Sequence, residues 1–134
     1  MRRCQACKAP LSKRSQKVYC GNACQAVARR DAMTKRWLES GEARVRGEQG
    51  KYIRLYLINT QSGCCAICGA ASVWQGRPLT LIMDHIDGNP TNNRRDNLRL
   101  VCPNCDSQLP TYKSRNRGNG RHFRRQRYAN GQSF

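Results

Sequence analysis

Cysteine spacing is the feature that most constrains how this 134-residue chain can fold. Eight of its nine cysteines form two sets of short Cys-to-Cys spacings: Cys4, Cys7, Cys20 and Cys24, and then Cys65, Cys68, Cys102 and Cys105. Such spacings allow four thiolates to reach one tetrahedral Zn²⁺. Disulfides are the alternative, but no apolar secretory segment opens the sequence. We therefore expect two structural zinc ions, reduced cysteines and a cytoplasmic location, with Cys64 left over.

The charge of the chain indicates its partner. Lys and Arg number 25 against eight Asp and Glu, which gives a formal net charge of +17. A surplus of this size predicts binding to nucleic acid, while a solvated basic face with no partner is the alternative. No apolar run is long enough to cross a bilayer, so we expect no membrane partner.

Changes in composition divide the chain into four parts. We predict a zinc finger and helix at residues 1–39, a glycine-rich linker at 40–50, a compact core at 51–117 and a basic, partly disordered tail at 118–134. A chain of this length holds one ordinary domain or two very small ones that need metals as staples. The predicted fold class is α+β, in two zinc-stabilised modules.

Local patterns predict the main elements. In the first part we expect a short hairpin around Val18 and Tyr19 and a helix from Asn22. In the second we expect a helix over KYIRLYLINTQ, a hairpin whose second strand is LTLIMDH, a polar loop, a strand LRLV and a helix from Pro103. This last helix would carry Cys105 and Asp106.

Half of the acidic residues gather around one histidine. Asp84, Asp87, Asp96 and Asp106 lie close in sequence to His85, in a chain that is otherwise built to attract polyanions. Carboxylates beside an imidazole suggest a metal-assisted attack on a phosphodiester. Asp87 and Asp96 fit loop and capping positions better than ligand positions.

Residues 60–117 resemble the HNH endonuclease family, whose core is a ββα-metal fold. The motifs that carry the resemblance are CAICG, IMDHIDGN, DNLRLVCPNC and SQ-x-x-TY. The segment YCGNACQ resembles, more loosely, zinc modules that precede HNH cores in nucleases of phages and mobile elements. A phage-encoded enzyme would act in the cytoplasm of its host.

The resemblance implies roles for individual residues. His85 matches the general base that deprotonates the attacking water, and Asp84 matches the first ligand of the catalytic metal. Asn97 matches the asparagine that holds the histidine loop and orients the imidazole, although a plain turn cap remains its alternative. Asn116 matches a supporting position downstream.

Asp106 departs from the family pattern, which most often has His or Asn there. A carboxylate suits Mg²⁺ or Mn²⁺ better than imidazole does, so Asp84 and Asp106 are predicted to hold one catalytic ion. The alternatives are that Asp106 only caps the helix, or that the site is inactive.

The resemblance and the charge together predict a metal-dependent DNA endonuclease, with a non-catalytic zinc-finger DNA-binding protein as the alternative. Duplex DNA is the expected substrate, and the chain would be a monomer that nicks one strand or a dimer that cuts both. Six cations near the site are predicted to contact phosphates: Arg94, Arg95, Arg99, Lys113, Arg115 and Arg117.

Overall fold

The computed structural model describes residues 1–43, 50–116 and 122–132. Within them lie four α-helices and two separate two-stranded sheets, which confirms the α+β class. The helices are α1 (Asn22–Ser40), α2 (Lys51–Thr60), α3 (Pro103–Ser107) and α4 (His122–Ala129). The strands are β1 (Val73–Trp74), β2 (Arg77–Pro78), β3 (Ile82–His85) and β4 (Leu98–Val101).

Helix α1 begins at Asn22 as predicted, and a glycine ends it. Gly41 adopts φ +70°, the left-handed conformation that glycine tolerates best, and its N–H donates to the carbonyl of Trp37 at 2.8 Å. Helix α3 begins at Pro103, also as predicted, because proline at the first helical position has no N–H to leave unpaired.

Two strand predictions were wrong. LTLIMDH is not one strand, because β2 pairs with β1 across a two-residue turn in which Gln75 and Gly76 have φ of +49° and +73°. That tight turn closes the first hairpin early, and β3 starts only at Ile82 and pairs with β4 instead. In the described N-terminal residues no strand forms around Val18 and Tyr19.

The hydrophobic core joins α1, α2 and β4. It consists of fully or nearly buried side chains: Trp37, Tyr52, Ile53, Leu57, Cys65, Leu81, Leu98, Leu100, Val101 and Cys102. Helix α1 therefore packs on the part of the chain that contains the DH and CPNC motifs. The boundary predicted at residue 39 stays a prediction, and residues 44–49 of the predicted linker lie outside the described residues.

The basic tail contains α4, a helix that the sequence patterns did not predict. Residues 118–121 and 133–134 of the tail lie outside the described ranges, as does residue 117 at the end of the predicted core. Over the three ranges that are described, no helix is both long enough and apolar enough to span a membrane.

Candidate active site and cysteine clusters

Each predicted cysteine set comes together in space. Within each set the four Sγ atoms all lie within 4.8 Å of one another. Neighbouring pairs are 3.6 Å apart for Cys7 and Cys20, 3.4 Å for Cys20 and Cys24, and 3.7 Å for Cys68 and Cys102. Thiolates about 2.3 Å from a tetrahedral zinc would form edges of about 3.8 Å. Both clusters therefore have the donors and the spacing to hold zinc.

The same backbone turn carries the first two cysteines of each cluster. The residue after the second cysteine adopts positive φ in both cases: Lys8 at +64° and Gly69 at +74°. An antiparallel bridge closes each turn: Arg3 with Pro10, and Cys64 with Ala71. Cys64 thus lies beside the second cluster without being part of it, as its leftover position in the spacing suggested.

Backbone amides prepare one thiol in each cluster to ionise. The N–H groups of Cys7, Cys20 and Ala6 lower the pKa of Cys4 to about 6. Burial opposes ionisation of Cys65, but backbone N–H groups, including that of Cys102 at 3.2 Å, lower its pKa to about 6. Because only thiolates bind the metal, these amides favour the ligand form at neutral pH.

Strands β3 and β4 present the DH pair on opposite faces of their sheet. Asp84 is opposite Arg99, and His85 is opposite Leu98. The Asp84 carboxylate is only 8% exposed, and its Oδ2 accepts a hydrogen bond from Nε of Arg99 at 2.8 Å. This buried pair balances the charge of the carboxylate, which would be costly to bury alone.

A residue that the sequence patterns missed holds the histidine. Nε2 of His85 lies 2.9 Å from Oδ1 of Asn93. Asn93 belongs to the loop between β3 and β4, residues 86–97, which is the histidine loop. Asn97 does not contact the imidazole in this way. The sequence shows Asn93 only as one of several asparagines in a polar loop. Nothing in the sequence distinguishes it from its neighbours.

Asn97 holds the loop between β3 and β4 together. Its Oδ1 accepts from the backbone N–H of Asp87 at 3.0 Å, and its Nδ2 donates to Oδ1 of Asp87 and to the carbonyl of Asn92. The side chain of Asn92 and the backbone N–H of Asn89 also donate to Asp87, and together these bonds lower the pKa of its carboxyl. Asp87 is thus a loop residue that stays ionised.

Gly88 makes a close contact with the segment after α3. It adopts φ +73°, and its carbonyl accepts from Nδ2 of Asn116 at 2.7 Å. A Cβ at this position would come within 2.3 Å of Oδ1 of Asn116 and 2.9 Å of Cγ2 of Thr111. Asn116 therefore braces the histidine loop from a segment that lies 28 residues further along the chain.

Replacing Gly88 with alanine should lower the free energy of unfolding by about 2–4 kcal/mol, because backbone strain and overpacking combine. Gly76→Ala is a matched control, since Gly76 has the same φ of +73° but nothing within 4 Å of the new Cβ. It should cost about 1 kcal/mol. Urea denaturation of both variants measures the two losses of unfolding free energy. Equal losses would show that Asn116 and Thr111 move away from the new Cβ at no cost.

Asp106 lies in the first turn of α3, half-buried, next to the second cysteine cluster. The N-cap of this helix is Cys102, whose Sγ accepts from the N–H of Cys105. No hydrogen bond or ion pair engages the Asp106 side chain among the described residues. Since α3 contacts β3, Asp84 and Asp106 stand on adjoining elements.

The predicted phosphate-binding cations differ in their exposure and in the contacts that they make within the protein. Arg99 pairs with Asp84, and Arg95 lies half-buried with its guanidinium 5.3 Å from the ring centre of Tyr56. Arg115 donates to the carbonyls of Ser107 and Leu109. Arg94 and Lys113 are exposed, with Nε of Arg94 3.6 Å from Oδ1 of Asp96 and Nζ of Lys113 5.0 Å from the ring centre of Tyr112. Arg117 lies outside the described residues.

Comparison with known proteins agrees with this geometry. The family model described as HNH endonuclease matches residues 77–104. Over these residues the chain is similar to the HNH endonuclease family. The HNH segment so defined contains Asp84, His85, Asn93 and Asn97, while Asp106 lies just beyond its end.

The H-N-H endonuclease F-TflIV of Escherichia phage T5 is 46% identical over 54 residues, which are 40% of this chain and 23% of that protein. The chain thus spans about a quarter of the length of this relative. No solved structure matches the chain significantly.

Proposed function

We propose that this protein is a divalent-metal-dependent endonuclease that hydrolyses phosphodiester bonds in duplex DNA. The observation that supports this most is the arrangement around β3: this strand carries the buried Asp84 and ends at His85, and α3, which carries Asp106, contacts the same strand. An HNH family match over the same strands adds to it.

His85 is the general base of the proposed reaction. Its Nε2 faces Asn93, so its Nδ1 is the nitrogen that remains to accept a proton from the attacking water. Imidazole suits this task because it changes charge near neutral pH. The loop that Asn97 and Asn116 hold together keeps the ring at the end of β3.

Asp84 and Asp106 fit a site for Mg²⁺ or Mn²⁺. Oδ1 of Asp84 accepts no hydrogen bond within the described residues, and the Asp106 carboxylate is unengaged there. Two hard oxygen donors on adjoining elements are what these ions bind in phosphate-cleaving sites. When bound, the ion would stabilise the charge that develops on the phosphate and the leaving oxygen.

The two cysteine clusters are proposed to hold structural zinc. Four thiolates complete a tetrahedral shell and leave no position open for water or substrate, so zinc in these clusters takes no part in hydrolysis. The catalytic ion and the structural ions are therefore different.

The excess of positive charge is proposed to hold the DNA. The exposed Arg94 directly follows Asn93, which contacts His85, and the exposed Lys113 lies three residues before Asn116, which donates to the carbonyl of Gly88. Contacts of this kind fix the backbone of the duplex and do not read its sequence. Binding should weaken steeply with salt, by about 0.9 in the log–log slope for each phosphate neutralised.

Incubation with supercoiled plasmid tests the function. With Mg²⁺ or Mn²⁺ the protein should convert the plasmid to nicked or linear forms, and EDTA should abolish the conversion. Binding at low salt without cleavage in any divalent ion would favour the alternative, a DNA-binding protein whose HNH segment is inactive.

Asp106→Ala should reduce the nicking rate by about 100-fold, because a lost ligand weakens the stabilisation of phosphate charge. Asp96→Ala is the matched control, since Asp96 is exposed on the loop and lies 3.6 Å from Arg94. Asp106→Asn keeps one donor oxygen, so at raised Mn²⁺ its nicking rate should lie between the rates of Asp106→Ala and Asp96→Ala. Full activity of Asp106→Ala would remove Asp106 from the metal site and leave the enzyme proposal standing.

A further inference from the structure

Asn93 connects the proposed general base to helix α1. Its side-chain Oδ1 lies 2.9 Å from Nε2 of His85, and its backbone carbonyl accepts a hydrogen bond from Nε1–H of Trp37 at 2.6 Å. Trp37 and Asn93 are 56 residues apart in sequence. Two hydrogen bonds that share Asn93, one at its side chain and one at its backbone, thus link the imidazole to α1, the helix that also carries Cys24 of the first cysteine cluster.

The Trp37 side chain, which donates one of these two hydrogen bonds, is held firmly by its packing. It is 1% exposed and makes edge-to-face contacts with Tyr52 and Tyr56, at centroid distances of 6.4 and 5.4 Å. A buried ring between two others has little freedom to turn. The direction of its N–H is therefore set by the packing of α1 on α2.

The end of α1 also approaches the residue that follows Asn93. A Cβ on Gly41 would lie 3.1 Å from Cγ of Arg94, so the backbone of the helix terminus is close to the loop. The loop therefore meets α1 at two successive residues, through a hydrogen bond at Asn93 and a close approach at Arg94. The bonds of Asn97 fix it from inside.

The contact with Asn93 determines which nitrogen of His85 can act as the base. An amide oxygen only accepts hydrogen bonds, so the proton of the neutral imidazole is held on Nε2 and Nδ1 stays unprotonated. A ring held in one tautomer and one orientation loses less entropy when it takes the proton of an attacking water.

We propose that Asn93 is a positioning residue for His85, and that Trp37 makes this positioning depend on the docking of α1 against the histidine loop. The N-terminal part of the chain then contributes to turnover without touching the substrate. The role in turnover rests on the proposed nuclease function, but the state of the imidazole can be measured without any cleavage.

Nitrogen NMR of the full-length, zinc-loaded protein with ¹⁵N-labelled histidine tests the two hydrogen bonds that share Asn93. The protein has two histidines, so the signals that disappear in His85→Gln are those of His85. In the wild type at neutral-to-alkaline pH, His85 should show a protonated Nε2 that exchanges slowly with water. Asn93→Ala should speed this exchange about tenfold or more, and Trp37→Phe, which keeps an aromatic ring but removes the N–H, should give a smaller increase.

Two variants are controls for these changes. Trp74→Phe makes the same substitution at the other tryptophan, which is 58% exposed, and should leave the His85 signals unchanged. Asn93→Asp keeps the acceptor oxygen and should restore slow exchange. Unchanged His85 signals in Asn93→Ala would overturn the proposal, as would equal effects of Trp37→Phe and Trp74→Phe. If Asn93→Ala fails to fold, the Asn93→Asp and Trp37→Phe variants decide between these outcomes.

Cleavage kinetics test the consequence for turnover. Asn93→Ala should lower kcat by about 10- to 100-fold with KM for plasmid within about twofold, and Trp37→Phe should lower kcat by about three- to tenfold. Asn93→Asp should recover most of kcat. A fall in kcat with unchanged His85 signals would show a merely structural role. Absence of cleavage by the wild type would refute the nuclease function, while the NMR result would still decide the two hydrogen bonds that share Asn93.

Discussion

His85→Ala should lower the single-turnover rate of DNA cleavage by about 10²–10⁴-fold, which is the usual contribution of a general base. The residue is half-buried at the end of β3 and is not a member of the hydrophobic core cluster, so the fold should survive the change. DNA binding, measured by fluorescence anisotropy at the same salt concentration, should stay within about twofold because His85 is not among the cations proposed to contact phosphates.

Rescue with free imidazole is the control for this variant. Alanine leaves space where the ring was, so added imidazole should restore part of the rate in proportion to its concentration. A variant that cleaves as fast as the wild type would exclude His85 as the base. Loss of binding together with cleavage would instead indicate damage to the loop.

Cys65→Ser should abolish cooperative unfolding of the hydrophobic core around the second cysteine cluster. Cys65 is 4% exposed, belongs to the core and is one of four thiols in its cluster. Losing a structural zinc site removes about 10 kcal/mol or more, which is comparable to the roughly 5–15 kcal/mol by which a typical domain is stable. Thermal unfolding followed by circular dichroism, with zinc content by mass spectrometry, measures the loss.

Cys64→Ser provides a matched control at the preceding residue. Cys64 lies outside the cluster and its Sγ makes only a long contact of 3.5 Å with the carbonyl of Ser62. This variant should bind two zinc ions per chain and unfold at nearly the wild-type temperature. Wild-type protein that contains no zinc and unfolds on reduction would support disulfides instead.

Short-range patterns predicted much of the architecture. The start of α1 at Asn22, the start of α3 at Pro103 and the close cysteine pairs within each cluster all follow from residues only a few positions apart. The opposite orientation of Asp84 and His85 follows in the same way from the alternation of side chains along a strand.

Long-range contacts could not be predicted in this way. Nothing near Asn93 indicates that Trp37 would reach its carbonyl, because that contact depends on how α1 packs on α2. The pairing of Asp84 with Arg99 likewise depends on the register of β3 and β4. The break between β2 and β3 was missed because the apolar residues of LTLIMDH look like one strand, although Leu81 is buried in the core outside any strand.

Helix α3 has only five residues, far fewer than an isolated helix needs to be stable, and two of the cluster cysteines hold it in place. Asp106 follows the last of these cysteines directly. For an enzyme of the proposed kind, the two metals would therefore have different roles: zinc would stay bound to keep the chain folded, and Mg²⁺ or Mn²⁺ would be needed at every turnover. A brief treatment with a weak chelator should then stop cleavage reversibly, whereas a chain produced without zinc should stay inactive however much Mg²⁺ is supplied.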